Sequence, residues 1–142
     1  MAIMKLIDDD EAVQDLIDQA LGDSSPFNII RDYENIFGKN HINFKPNIRR
    51  DIMTDLEKPQ NSHIKLQGIE IQQIDVSITK IRAKNPRTKA SKRDGIRCIV
   101  LLDWIRNEAM LIHMYDKKKK HDLTKTEVKY LSQLHKLYVQ SM

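Results

Sequence analysis

Residues 95–140 read GIRCIVLLDWIRNEAMLIHMYDKKKKHDLTKTEVKYLSQLHKLYVQ, and this stretch decides the fold. Two apolar runs, Ile96 to Asp103 and Ala109 to Tyr115, are rich in Ile, Val, Leu and Met. The four residues between Trp104 and Ala109 leave room only for a short turn, so the pattern predicts a β-hairpin. The second run stops in the lysines at 117 to 120. TKTE at 124–127 is a capping-box pattern that opens an amphipathic helix, with Val128, Leu131, Leu134 and Tyr138 spaced to face the sheet. A positive cluster at the mouth of a sheet points to a polyanionic partner.

Upstream, EIQQIDVSITKIRAK at 70–84 is β-branched and polar. Its alternation slips near Thr79, which reads as a bulge. Its last part sets Lys80, Arg82 and Lys84 on one face and Ile81 and Ala83 on the other. A helix over 69–82 is the alternative. NPRTKASKRDG at 85–95 is a turn or flexible loop carrying Arg87, Lys89, Lys92 and Arg93. Further back, HINF at 41–44 reads as a short strand. Pro46 then opens a helix with Ile48, Ile52 and Leu56 on one face and Pro59 beyond its end.

Residues 9–21 place Val13, Leu16, Ile17, Ala20 and Leu21 on one helical face, with the aspartates at 8 to 10 at its positive end and Gly22 as its stop. Ser25 and Pro26 read as the cap and first turn of a second helix. Its stripe is Ile29, Ile30, Tyr33, Ile36 and Phe37, and Gly38 ends it. This N-terminal helical pair over 1–40 either packs on the body as extra core, screens the basic surface, or docks on another protein. The order predicts an α+β chain: a 1–40 extension, then a 41–142 domain with an antiparallel four-stranded sheet and helices to one side.

The length suits one domain of ordinary size, and 40% hydrophobic with 31% charged residues is the composition of a soluble globular protein. No apolar run approaches the roughly 18 to 20 residues that cross a bilayer, so no membrane partner is expected. The N-terminus turns acidic too early for a signal peptide. Cys98 is the only cysteine, which excludes disulfide frameworks and cysteine zinc sites, and a reducing cytoplasm is the simplest compartment. The net charge of +4 is split unevenly: residues 1–40 hold nine carboxylates against three cations, and the remainder is strongly basic.

Gly-rich phosphate loops, HExxH, EF-hand loops and G-x-S-x-G are all missing from the sequence. His41, His63, His113, His121 and His135 are scattered, and neither metal nor cofactor is expected. What is present is cation density on adjacent strands. Lys80, Arg82 and Lys84 come from one, Arg97 from the next, and Lys117, Lys118, Lys119 and Lys120 leave the end of the third. His113 and Tyr115 share a parity opposite to Met110, Ile112 and Met114. The methionine side reads as core. The other side faces a basic cleft, or His113 is a satisfied, partly buried histidine. RNA carries its own nucleophile, the 2′-OH. Its cleavage needs a base, a stabiliser of the phosphorane and a proton donor, and lysines of lowered pKa, an arginine and a Tyr or His divide those tasks. A solvated basic face for nucleic-acid binding has the same composition.

KLQG at 65–68, TKIRAK at 79–84, GIRCIV at 95–100, AMLIHMYDKK at 109–118 and the closing helix resemble the RelE/ParE superfamily of bacterial toxins over about residues 41–140. The resemblance implies a strand, helices, a three-strand antiparallel meander and a closing helix. It also implies metal-independent cleavage of mRNA on the ribosome. Carried over by position, Lys80, Arg82 and Lys84 bind RNA and activate the 2′-OH, while Arg97 and Lys117, or Lys119, stabilise the phosphorane. Tyr115, His113 or His121 donates the proton. Arg87, Lys89, Lys92, Arg93, Lys118, Lys119 and Lys120 add RNA contacts. The implied partners are mRNA, the ribosome and a cognate antitoxin whose acidic or amphipathic segment covers the cleft. Ile96 stands where the family has an aromatic, one helix where it has two, and residues 1–40 have no counterpart. Two alternatives remain open. One is a non-catalytic protein of the same fold that inhibits a DNA-handling enzyme such as gyrase or holds nucleic acid. The other is an unrelated basic α+β interaction domain.

Overall fold

The computed structural model describes residues 4–59, 63, 65–69 and 75–142. Strand β3 (Ile96–Asp103) has every residue buried, which is why residues 98–102 form a continuous apolar run, with the charged Arg97 and Asp103 buried towards its two ends. It pairs antiparallel with β2 (Val76–Ala83) on one side and β4 (Glu108–Asp116) on the other. Asp103 closes the hairpin turn. Its Oδ1 accepts from the N–H groups of Ile105 and Arg106, both at 3.0 Å.

The chain is α+β as expected, but the sheet is mixed. Its fourth strand is not HINF. It is β1 (Lys5–Leu6), which lies parallel to β4 in the order β1-β4-β3-β2. Residues Gly38–Phe44 instead form a 3-10 segment between α2 (Ile29–Phe37) and α3 (Lys45–Leu56). Phe44 stacks on Phe37 with ring centroids 5.0 Å apart. Pro46 sits in the first turn of α3, where its fixed φ suits the helix and its missing N–H costs no helical hydrogen bond. Among the described residues, no helix is long and apolar enough to cross a membrane.

Helices cover both faces of the sheet rather than one. Ile29, Tyr33, Phe37, Ile48 and Ile52 of α2 and α3 pack with Ile81, Ala83, Ile96, Cys98, Val100 and Leu102. Val13, Ile17 and Leu21 of α1 (Asp10–Leu21) join Leu131, Leu134 and Tyr138 of α4 (Lys125–Gln140) against Val76, Ile78, Ile99 and Leu101. Residues 1–40 therefore feed both cores: Met4, Leu6 and α2 on one face, α1 and Phe27 on the other.

The helix boundaries follow capping chemistry. Thr124 and Glu127 close both halves of the capping box. Asp9 caps α1, accepting from the N–H of Ala12 at 3.0 Å. The cap of α2 is Asn28, which accepts from Arg31 N–H at 3.0 Å, not Ser25. Ser25 Oγ turns to the N–H of Phe27 at 3.1 Å instead.

Residues 76–83 are strand rather than helix, while 70–74 lie outside the described residues. Pairing along β2 is regular through Thr79. The register shift lies across the sheet, between Ile99 and Val100, where His113 and Leu111 are their β4 partners and Ile112 is the extra residue. That bulge resets the parity of β4. Met110 and Ile112 pack on the same side as Tyr115, and Met114 goes to the opposite core with Ala109 and Leu111. A strict period of two would put Met110, Ile112 and Met114 together, and one inserted residue undoes it.

Side chains seal the sheet's edges. Arg49 donates to the carbonyls of Ile7 at 3.0 Å and Leu6 at 3.1 Å beside β1. Asp32 Oδ2 accepts from the N–H of Met114 at 3.1 Å, and Asp51 Oδ2 from that of Lys84 at 2.8 Å. Open edges that would otherwise template another strand are thereby closed.

Candidate nucleic-acid interface

The end of β2, the start of β3 and the end of β4 meet at one end of the sheet, where Ala83 faces Ile96 and Ile96 faces Asp116. Two loops leave this end, 84–95 and 116–121. Together they carry nine Lys and Arg side chains against Asp94 and Asp116. The register sets Arg82, Arg97 and Tyr115 side by side across three strands, with Lys80 and His113 flanking Ile99 one step inward. All of these lie on the face covered by α1 and α4. A groove of about 330 Å³ opens there, lined by Lys65, Gln67, Lys80, Arg82, Asp122 and Val128 among others. On the α3 side of the same sheet end, Arg50, Asp51, Lys84 and Lys89 border a second hollow of about 300 Å³.

Within this frame the expected catalytic residues separate. Arg97 is only 3% exposed, and its guanidinium donates to the carbonyls of Lys92 at 2.8 Å and Arg93 at 2.6 Å. Its fork therefore holds the 85–95 loop. Burial, and then the charge of Arg82, lowers its pKa. His113 is also buried, but not as a bystander. Its Nδ1 is 2.7 Å from Asp32 Oδ2, and its Nε2 is 3.2 Å from Glu127 Oε2 without the alignment of a hydrogen bond. Burial alone would lower its pKa. The two carboxylates outweigh that and push it up to about 9, so His113 is an imidazolium at neutral pH and does not face the cleft. Burial works against Glu127 ionising, but His113, Lys120 and the Thr124 N–H hold its carboxyl well below the usual range.

Lys80 was expected as a lysine of lowered pKa, and the opposite holds. Partial burial pulls its pKa down, but the Asp122 carboxylate at 3.0 Å and the neighbouring Tyr115 outweigh it and the net shift is upward. Lys80 is thus held charged: an electrostatic group, not a base. Burial raises the pKa of Tyr115 more than Lys80 lowers it, so its hydroxyl stays protonated and lies 3.5 Å from Asp122 Oδ1. Lys120 stands 5.6 Å over the Tyr115 ring and pairs with Glu127.

Arg82 and Lys84 are exposed at the end of β2, and Lys117 is half-buried where its N–H donates to Gly95 O at 3.0 Å. None of the three side chains has an ion pair among the described residues. Lys89, Arg93, Lys118, Lys119 and His121 are exposed and Lys92 is half-buried in the two loops. Arg87 instead donates to Ile36 O at 3.1 Å and ties its loop to the end of α2. His135 is spent on the carbonyl of Val76 at 2.8 Å.

Lys65 and Asp122 also line the groove, although neither belongs to the basic pattern that singles out the other residues. The signal for Asp122 is the lone acid in KKKKHDLT, directly after the lysine run. No family model, curated protein or solved structure matches this chain.

Proposed function

We propose that this chain is a RelE/ParE-like toxin that engages RNA at the basic end of its sheet, with Lys80 and Arg82 as the groups that meet the scissile phosphate and the hydroxyl of Tyr115, a residue only 5% exposed, beneath them. The observation that carries the reading is the alignment of Arg82, Arg97 and Tyr115 across three strands beside Lys80, with Lys80 and Arg82 lining an open groove. In this arrangement Lys80 and Arg82 neutralise phosphate charge, solvent water takes the 2′-OH proton as that oxygen attacks phosphorus, and the protonated Tyr115 hydroxyl gives its proton to the 5′-oxygen as its bond to phosphorus breaks. Arg97 supports the site by fixing the loop that carries Lys89, Lys92 and Arg93. Lys117, Lys118 and Lys119 extend the positive surface along the RNA backbone.

A non-catalytic, nucleic-acid-holding role is the second reading. It is favoured by Lys80 being held charged and by the commitment of Arg97 to backbone carbonyls, which leave the site without an evident base. Incubation of the purified protein with translating ribosomes, followed by mapping of mRNA ends, separates the two. Cleavage lost in Tyr115→Phe and Arg82→Ala supports the nuclease. Intact mRNA with tight, salt-sensitive RNA binding supports the holder. Neither cleavage nor binding refutes both.

A further inference from the structure

Asp122 is an anion already seated in the basic groove. Its Oδ1 receives the ammonium of Lys80 at 3.0 Å, the N–H of Leu123 at 2.8 Å and the hydroxyl of Tyr115 at 3.5 Å. Lys65 and Arg82 line the same groove, and neither side chain has a carboxylate partner among the described residues. Carboxylate and phosphodiester oxygens use the same donors in the same way. The Asp122 side chain remains 65% exposed, so it sits at the mouth of the groove rather than locked inside it. Such an exposed pair is weakly held. Its neighbours are fixed: Asp116 accepts from the backbone of Lys118 at 3.0 Å on one side, and the Thr124–Glu127 capping box anchors the other. Rotation of one side chain is therefore enough to vacate the position.

We propose that the Asp122 carboxylate occupies the seat of an RNA phosphate between β2 and the start of α4, and that RNA displaces it from Lys80 on binding. The inference rests on the RNA-binding reading above and adds a built-in competitor to it. Lys80 and Tyr115 are held in position by Asp122 in the free protein and handed to the phosphate in the complex. The same carboxylate raises the threshold for weakly bound anions, because a ligand must offer several phosphates at once to gain Arg82, Lys65 and the loop lysines as well.

The test compares Asp122→Asn with Asp15→Asn, an equal change of charge at an exposed position on α1, outside the two basic loops. Asparagine keeps an oxygen for the Leu123 N–H, and thermal melts check that both variants fold. Binding of a short fluorescein-labelled oligoribonucleotide of mixed sequence is followed by anisotropy at low and physiological salt. Asp122→Asn is expected to tighten binding roughly tenfold and Asp15→Asn by no more than about twofold, as one distant charge does. Lys80→Met in the Asp122→Asn background is expected to remove the gain. Equal effects of the two asparagine variants, or weaker binding by Asp122→Asn, overturn the proposal while leaving RNA binding in place. Absence of binding by wild type and both variants overturns the RNA reading and this inference together.

Discussion

The buried His113 imidazolium makes stability depend on pH in a defined direction. Its pKa is about 9 in the folded chain against an ordinary value of 6.5. A group whose folded pKa is raised contributes fully below the unfolded value and loses that contribution as pH climbs through the folded one. The shift from 6.5 to about 9 corresponds to about 3 kcal/mol, present below pH 6.5 and lost by pH 9. Glu127 acts in the other direction: its folded pKa is depressed, so its contribution is present above the unfolded value near 4.5 and falls away in acid. The two share one contact, so their contributions do not add. Urea unfolding followed by circular dichroism at steps from pH 6 to 9 measures the loss. His113→Gln removes the titrating group, lowers stability by about 3 to 5 kcal/mol at pH 6 through the carboxylates it leaves behind, and flattens the pH slope. Parallel slopes for wild type and His113→Gln would refute the reasoning, because the titration would then belong to other groups.

Gly95→Ala places a Cβ well inside van der Waals contact with the Ala83 carbonyl oxygen and 2.7 Å from that of Ser91, so the sheet end must open. A loss of about 2 to 4 kcal/mol is expected in chemical denaturation. Arg97→Ala releases the 85–95 loop from its two carbonyl contacts. It is expected to cost about 1 to 3 kcal/mol and to raise hydrogen exchange across that loop, so that any loss of function comes with a loss of structure. Tyr138→Phe removes the hydroxyl that donates to the fully buried Asp103 at 2.6 Å. About 2 to 3 kcal/mol is expected to be lost in thermal or urea unfolding.

The meander and closing helix were legible because their signals are local. β3 has an unbroken apolar centre at residues 98–102, the β3–β4 turn has room for nothing longer, and TKTE contains its own cap. The first strand was not. Lys5 and Leu6 have no strand pattern of their own; the carbonyls of Asn107 and Ala109 recruit them, through bonds of 2.8 Å from Lys5 and 2.9 Å from Ile7. HINF looked extended by composition, yet packing of Phe44 on Phe37 decided otherwise. The single-residue bulge at Ile112 is invisible to a period-two reading, and it redirected Met114. At the site, the cations on the sheet face were readable from alternation. Their counter-charges were not, because Asp32, Glu127 and Asp122 reach His113 and Lys80 only through tertiary contact. That is why lowered lysine pKa values were expected from clustered cations, whereas Asp122 raises that of Lys80.

The most direct measurement is a titration of isotopically labelled protein with a short oligoribonucleotide, followed amide by amide in heteronuclear NMR. The expected result is salt-sensitive shifts concentrated at Lys80, Arg82, residues 84–95 and residues 117–123, where the two basic loops meet the groove. Shifts confined to the opposite end of the sheet around Trp104 to Asn107, or to the acidic face of α1, would contradict it.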